Sequence, residues 1–269
     1  MNQDEISERG LVLLGCGKMG GAMLKGWLAG GLPAASVWVI DPAPAPWLTE
    51  AGVRVNEELP EAPAMTILAV KPQMMGDALP QVAALSGRTV FLSIAAGTTI
   101  ATLEAELGGE AAVIRAMPNT PAAVGRGITA IIGNQAVDEG ALSLAEDLLG
   151  AVGQTVRLDD EAQMDAVTAV SGSGPAYVFH LIEVLAAAGE AEGLTPELAM
   201  ALARATVGGA GVLAEEADET PSELRVNVTS PGGTTQAALE VLMDAETGFP
   251  PLLKRAVAAA ARRSRELGQ

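Results

Sequence analysis

A chain of 269 residues, 49% hydrophobic and only 18% charged, is long enough for two domains and apolar enough to fill their cores, which argues against disorder. Sixteen basic residues against 33 acidic ones leave a net charge of −17, so nucleic acid and anionic membranes are disfavoured as partners. A single cysteine, Cys16, excludes an intrachain disulfide, and a single histidine, His180, argues against a zinc or iron site, so no metal is expected. The opening MNQDEISERG is acidic and polar, the reverse of a signal-peptide n-region. No stretch approaches the roughly 18 uninterrupted apolar residues of a membrane helix. A cytoplasmic location is the expectation.

Short apolar runs at 11–15, 37–41, 65–70, 89–94 and 112–116 lack strict alternation and read as strands buried on both faces, the pattern of a parallel sheet. Helical patterns at 20–29 and 99–107 fall between them, which implies an open α/β sheet. Runs at 128–133 and 155–158, flanking a helical 138–151, complete it. GCGKMG, residues 15–20, joins the first strand to the first helix. There Gly15 permits the sharp turn, Gly17 lets a pyrophosphate approach the backbone, and Gly20 lets helix and strand pack closely. Cys16, Lys18 and Met19 line the loop through their backbone, and the phosphates would rest on the helix N-terminus. The second strand ends at Asp41, about 20 residues beyond the last glycine, where an acid accepts both ribose hydroxyls of NAD and repels the 2′-phosphate of NADP. No arginine follows, only Pro42-Ala43-Pro44-Ala45-Pro46, so the residues lean toward NADH; the alternative is a surface aspartate that starts a proline-rich turn. Ala69-Val70-Lys71-Pro72 and Ala95-Ala96-Gly97 end later strands, where ligands of open α/β sheets bind. Lys71 is there either a cofactor contact or a surface lysine.

From about Asp160 the pattern turns helical. Val178, Leu181, Ile182 and Leu185 repeat at helical spacing, as do Leu198, Ala201, Leu202 and Ala205. Thr195-Pro196 and Thr220-Pro221 look like capped helix starts. Ala238, Val241 and Leu242 form a third pattern, and a last one runs from Pro250 to the basic end at 262–265. The boundary is placed between 1–159 and 160–269. Alanine-rich faces suit close helix packing, some of it against another subunit. Within this half, NVTSPGGTT, residues 227–235, interrupts the helices. Pro and Gly fix a turn, hydroxyls cap the next helix, and backbone N–H groups left along the helix dipole make a site for a carboxylate. The alternative is an ordinary cap after a turn.

NVTSPGGTT, together with DAVTAVSGSGPAYVF at 165–179, RAMPNTP at 115–121 and AVKP at 69–72, resembles pyrroline-5-carboxylate reductase, in that family's order and spacing from Leu11 onward. The resemblance implies an α/β fold with a Rossmann-type dinucleotide-binding domain followed by an all-helical dimerisation domain. It implies reduction of 1-pyrroline-5-carboxylate to L-proline by NADPH or NADH, the last step of proline synthesis. Ser230, Gly232, Gly233 and Thr234 would frame the substrate carboxylate, and Thr235 would hydrogen-bond the ring nitrogen as the catalytic hydroxyl. Glu161 matches a position near substrate, Asn227 one at the nicotinamide end and Asn56 one near the adenosine. Interlocking helices of a homodimer, with dimers that assemble further, are also implied. Asp41 departs from the family, which often has a small polar residue followed by Arg or Ser there and prefers NADPH. A hydroxyacid dehydrogenase would need a lysine on the helix after GSG, where this chain has Val178; its only lysine beyond Asp160 is Lys254. Tyr177 and His180 read as partly buried structural residues. A non-catalytic dinucleotide sensor would keep GCGKMG but have no need of the 229–235 loop.

Overall fold

The computed structural model describes residues 3–268; Met1 and Asn2 of the acidic opening, and Gln269, lie outside the described residues. By their contacts the residues form two compact units: one runs up to Gly172 and regains the segment from Ala261 onward, and the other is Ser173–Ala260.

The first unit is built on an eight-stranded sheet of order β3-β2-β1-β4-β5-β6-β7-β8. Its strands are β1 (Leu11–Leu14), β2 (Val37–Ile40), β3 (Arg54–Val55), β4 (Met65–Leu68), β5 (Val90–Ser93), β6 (Ala112–Met117), β7 (Gly127–Gly133) and β8 (Gly153–Arg157). Its helices are α1 (Gln3–Arg9), α2 (Lys18–Ala29), α3 (Pro46–Glu50), α4 (Met75–Ala78), α5 (Ile100–Leu107), α6 (Glu139–Gly150) and α7 (Met164–Val167), the last followed by a π-turn, Thr168–Gly172. Side chains alternate across a strand, so a strand covered on both faces must be apolar throughout. β1 shows this directly: Leu11 and Leu13 join the cluster that holds Met23, Leu24, Trp27 and Leu148, while Val12 and Leu14 join that of Phe91, Leu103 and Val113. Trp27 Nε1 donates to Leu148 O at 2.7 Å, which satisfies the buried indole and ties α2 to α6.

Six strands run parallel, but β7 pairs antiparallel with β6. Too few residues separate Met117 from Gly127 for the dozen or more of a crossover, so the chain folds back through a 3₁₀ turn, Thr120–Val124. β8 returns parallel to β7 after α6. On this outer edge Arg157 pairs with Glu139 at 2.6 Å and Glu146 at 2.7 Å and binds β8 to α6.

The second unit is helical: α8 (Gly174–Ala191), α9 (Pro196–Glu216), α10 (Pro221–Asn227), α11 (Thr234–Leu242) and α12 (Phe249–Leu267), whose last turns belong to the first unit. Thr195 caps α9 through the N–H of Leu198, and Thr220 forms a capping box with Glu223. The carboxyl of Glu223 is held below its usual range by hydrogen bonds from the Thr220 hydroxyl and backbone. Only Ala186, Ala199 and Ala203 are fully buried between α8 and α9, with Ile182 against them. Val178, Phe179, Leu198, Leu202 and Leu213 stay exposed on one chain. Among the described residues α9 alone has the length and mean hydropathy, 1.3, of a membrane-crossing helix, yet Arg204 sits in its middle.

Candidate functional site

The glycine loop has three distinct local geometries. Gly15 sits at φ +88°, and a Cβ there would meet Val70 Cγ1 at 2.8 Å. A Cβ at Gly20 would meet Gly15 O at 2.7 Å, so helix and strand approach there as only glycine permits. At Gly17, the N-cap of α2, a Cβ would meet nothing within 4 Å. Helix α2 has no side-chain cap and no acid in its first turn, so its N-cap residue leaves the first N–H groups to a ligand. That cradle fits a dinucleotide pyrophosphate. Lys18 is exposed, and Cys16 and Met19 are half-buried against the core. Burial, and then the charge of Asp41, push the Cys16 thiol up to about 11, against a smaller opposing effect of Lys25. Its thiolate should be about 100-fold scarcer near neutral pH than that of an ordinary cysteine. Iodoacetamide should label the native protein slowly and the unfolded protein fast; equal rates would contradict the buried setting.

Apart from Asn227, which lies in the second unit, the other residues expected at the cofactor lie at the carboxyl ends of neighbouring strands, where this sheet class holds its ligands. Asp41 follows β2; its Oδ2 accepts from Cys16 N–H at 2.7 Å and its Oδ1 from Ala43 N–H at 2.9 Å. Asn56, just beyond β3, brackets the main chain of Asp41: Oδ1 accepts from Asp41 N–H at 3.0 Å and Nδ2 donates to Asp41 O at 2.9 Å. A cleft of about 580 Å³ opens beside them, lined by Asp41, Asn56, Glu57, Val70, Met74 and Asp77 among others. Ala69, through its N–H to Leu14 O, starts the turn after β4, and Lys71 stands exposed on it. After β5, Ala95 is buried and Ala96 exposed, with Gly97 at φ +79° completing the turn.

Glu161 belongs to the same unit. Its Oε1 accepts from Arg115 Nη1 at 2.6 Å and from Ile100 N–H at 3.0 Å, so it neutralises a buried arginine of β6 and caps the start of α5. Arg115, from the RAMPNTP stretch, is the partner that sequence reasoning missed. From the same stretch, Asn119 is buried; its Oδ1 accepts from Ile128 N–H and its Nδ2 donates to Ser171 on the π-turn.

In the second unit Asn227 ends α10, and the loop leads to Gly233, the N-cap of α11. Gly232 adopts φ +70°, which only glycine takes without strain. Its N–H donates to Gln236 Oε1 at 2.7 Å, and Gly233 N–H donates to Ser230 O at 3.0 Å. These two donors are therefore spent on shaping the loop. The first intrahelical bond is from Ala237 N–H to Gly233 O. The N–H groups of Thr234, Thr235 and Gln236 are the unpaired first-turn donors of α11. Thr235 is half-buried; Ser230 and Thr234 are exposed. Gln236 is the functional candidate that motif matching passed over, although Gln at the third helical position is a known capping signal. His180 is exposed and lies 3.0 Å from Glu183, so it is not the packed residue expected, whereas Tyr177 is half-buried. Among the described residues no three His, Cys, Asp or Glu side chains gather as a metal site.

Comparison with known proteins bears on both units. The family model for pyrroline-5-carboxylate reductase dimerisation matches residues 161–267, and that for NADP oxidoreductase, coenzyme F420-dependent, matches residues 10–97. The pyrroline-5-carboxylate reductase of Pseudomonas aeruginosa is 42% identical over 96% of this chain and 97% of its own. The solved pyrroline-5-carboxylate reductase of Coxiella burnetii is 33% identical and superposes with a TM-score of 0.91 over 97% of this chain and 99% of its own. That of Plasmodium falciparum, solved with NADP bound, is 29% identical with a TM-score of 0.83, over 97% of this chain and 98% of its own. With a relative this similar along nearly its whole length, and with the glycine cradle and the Gly232–Gly233 loop each in place, the chain belongs to the pyrroline-5-carboxylate reductase family.

Proposed function

We propose that this protein reduces 1-pyrroline-5-carboxylate to L-proline with NAD(P)H, the closing step of proline biosynthesis. The observation that carries this is the 42% identity to a pyrroline-5-carboxylate reductase over 96% of the chain. Residues 1–159 are assigned to the dinucleotide, and residues 160–269 to substrate binding and dimerisation. The cytoplasm is the assigned location.

When bound, NAD(P)H would supply the hydride for C5 of the imine. The chain's task is to hold the acid and its ring nitrogen in place. A carboxylate suits the first-turn N–H groups of α11, which preorganised dipoles favour. We assign that carboxylate to the loop residues Ser230, Gly232, Gly233 and Thr234, with the two glycines shaping the turn, and the ring nitrogen to the Thr235 hydroxyl. Gly15, Cys16, Gly17, Lys18, Met19 and Gly20 are assigned to the pyrophosphate; Asp41 and Asn56 to the adenosine; and Ala69, Val70, Lys71, Ala95, Ala96 and Asn227 to the nicotinamide half. Asp41 favours NADH. Glu161 keeps its assignment near the substrate, as the resemblance implies. The exposed apolar faces of α8 and α9 call for a second copy of the chain, because patches of this kind rarely face water. Purified protein given 1-pyrroline-5-carboxylate should consume NADH and form one L-proline for each NADH lost. Absence of proline with either cofactor overturns the assignment.

A further inference from the structure

Asn56 is the one non-glycine residue with positive φ among the described residues, at +54°. Asparagine tolerates this region better than most side chains, but the backbone pays some strain that a strand end does not require. That strain brings the carboxamide alongside Asp41. Both of its polar atoms then engage the Asp41 main chain, at 3.0 Å and 2.9 Å, while its own N–H donates to Val39 O at 2.9 Å. Asp41 is thus gripped from one side by Asn56. On the other, its carboxylate is fixed to the glycine loop by Cys16 N–H and to the following turn by Ala43 N–H. Each carboxylate oxygen has accepted one hydrogen bond and keeps capacity for another, which is what two vicinal ribose hydroxyls need. The lining of the adjacent cleft adds Glu57 and Asp77 and contains no lysine or arginine. A 2′-phosphate brought there would meet like charge from the lining itself.

We propose that Asn56 is a positioning residue for cofactor choice: its amide clamp holds the Asp41 carboxylate where it accepts the ribose of NADH and repels the 2′-phosphate of NADPH. This deepens the proposed use of NAD(P)H and rests on the reading that Asp41 favours NADH. The clamp works through Asp41: Asn56 serves the adenosine end by engaging the Asp41 main chain with both polar atoms of its amide.

The test is the ratio of kcat/KM for NADH to that for NADPH in the full-length enzyme, with 1-pyrroline-5-carboxylate saturating. Asp41→Ala should lower that ratio about tenfold or more, the scale of one lost charge-assisted hydrogen bond. Asn56→Gly keeps the left-handed backbone at no strain and deletes only the clamp. It should lower the ratio in the same direction, about threefold to tenfold. Added to Asp41→Ala, it should change the ratio no further, because its effect passes through that carboxylate. An unchanged ratio in Asn56→Gly, even with a lower melting temperature, overturns the clamp while leaving the role of Asp41 intact. An additive effect in the double variant also overturns it, since Asn56 would then act on the nucleotide directly. An unchanged ratio in Asp41→Ala overturns both the clamp and the NADH reading beneath it. Loss of proline formation with both cofactors in the wild-type enzyme is the separate failure of the activity itself.

Discussion

Replacing Thr235 with alanine is expected to lower kcat about 10²–10³-fold, the loss seen when a single preorganised donor is removed from a reacting centre. Thr235 is the second residue of α11, half-buried behind a turn fixed by Gly232 at φ +70° and by the Gln236 bond to Gly232 N–H. A side chain there is held by a helix and not by a free loop, so its hydroxyl has a defined position. A hydroxyl both accepts and donates. It can accept from the N–H of a protonated imine and, as the C=N electrons move to nitrogen, rotate to donate to the new lone pair. Serine, which keeps the oxygen, should retain most of the activity. With the substrate carboxylate assigned to backbone N–H groups, the substrate KM of Thr235→Ala should change much less than kcat. Steady-state rates with saturating cofactor decide this, and turnover within a few fold of wild type would remove Thr235 from the chemistry.

Replacing Glu161 with alanine is expected to cost stability, about 3 kcal/mol, equivalent to a fall of roughly 6–12 °C in melting temperature. Arg115 is 7% exposed, and Glu161 Oε1 is its acceptor at 2.6 Å. Without that acid the Arg115 guanidinium on β6 stays buried without its paired carboxylate, and the first N–H of α5 loses its acceptor. Glutamine at the same position keeps the cap but not the charge and should fall between. Arg115→Met in the Glu161→Ala background should recover part of the loss, because the stranded charge is removed with it. Thermal unfolding of the wild type, Glu161→Ala, Arg115→Met and the double variant tests the cycle. If Glu161→Ala melts with the wild type, the pair contributes nothing to the fold.

What could be read from the sequence was local. The glycines of 15–20 specify their turn through backbone conformation, and Thr195-Pro196 and Thr220-Pro221 mark helix starts because a cap acts within one turn. The strands were legible because a sheet covered on both faces demands continuous apolar runs. What escaped depends on distance along the chain or on brevity. Strand β3 has two residues, too few for any period, and α1 lies in a segment whose charged composition suggested no element. The reversed direction of β7 follows from a connection length that apolar runs alone do not reveal. The Arg115–Glu161 pair spans 46 positions, and the Asn56 bracket on Asp41 spans 15, so neither leaves a local pattern. Gln236 stands three residues past its cap, but the cap is Gly233, which lacks the hydroxyl that makes the capping pattern recognisable.

The three small alanines buried between α8 and α9 are too little interior to fold a helical half on their own. Its order must therefore be borrowed from a second chain, and folding and assembly there become one bimolecular event. Dilution would loosen that half before it disturbed the sheet, and a higher concentration of the chain itself would tighten it.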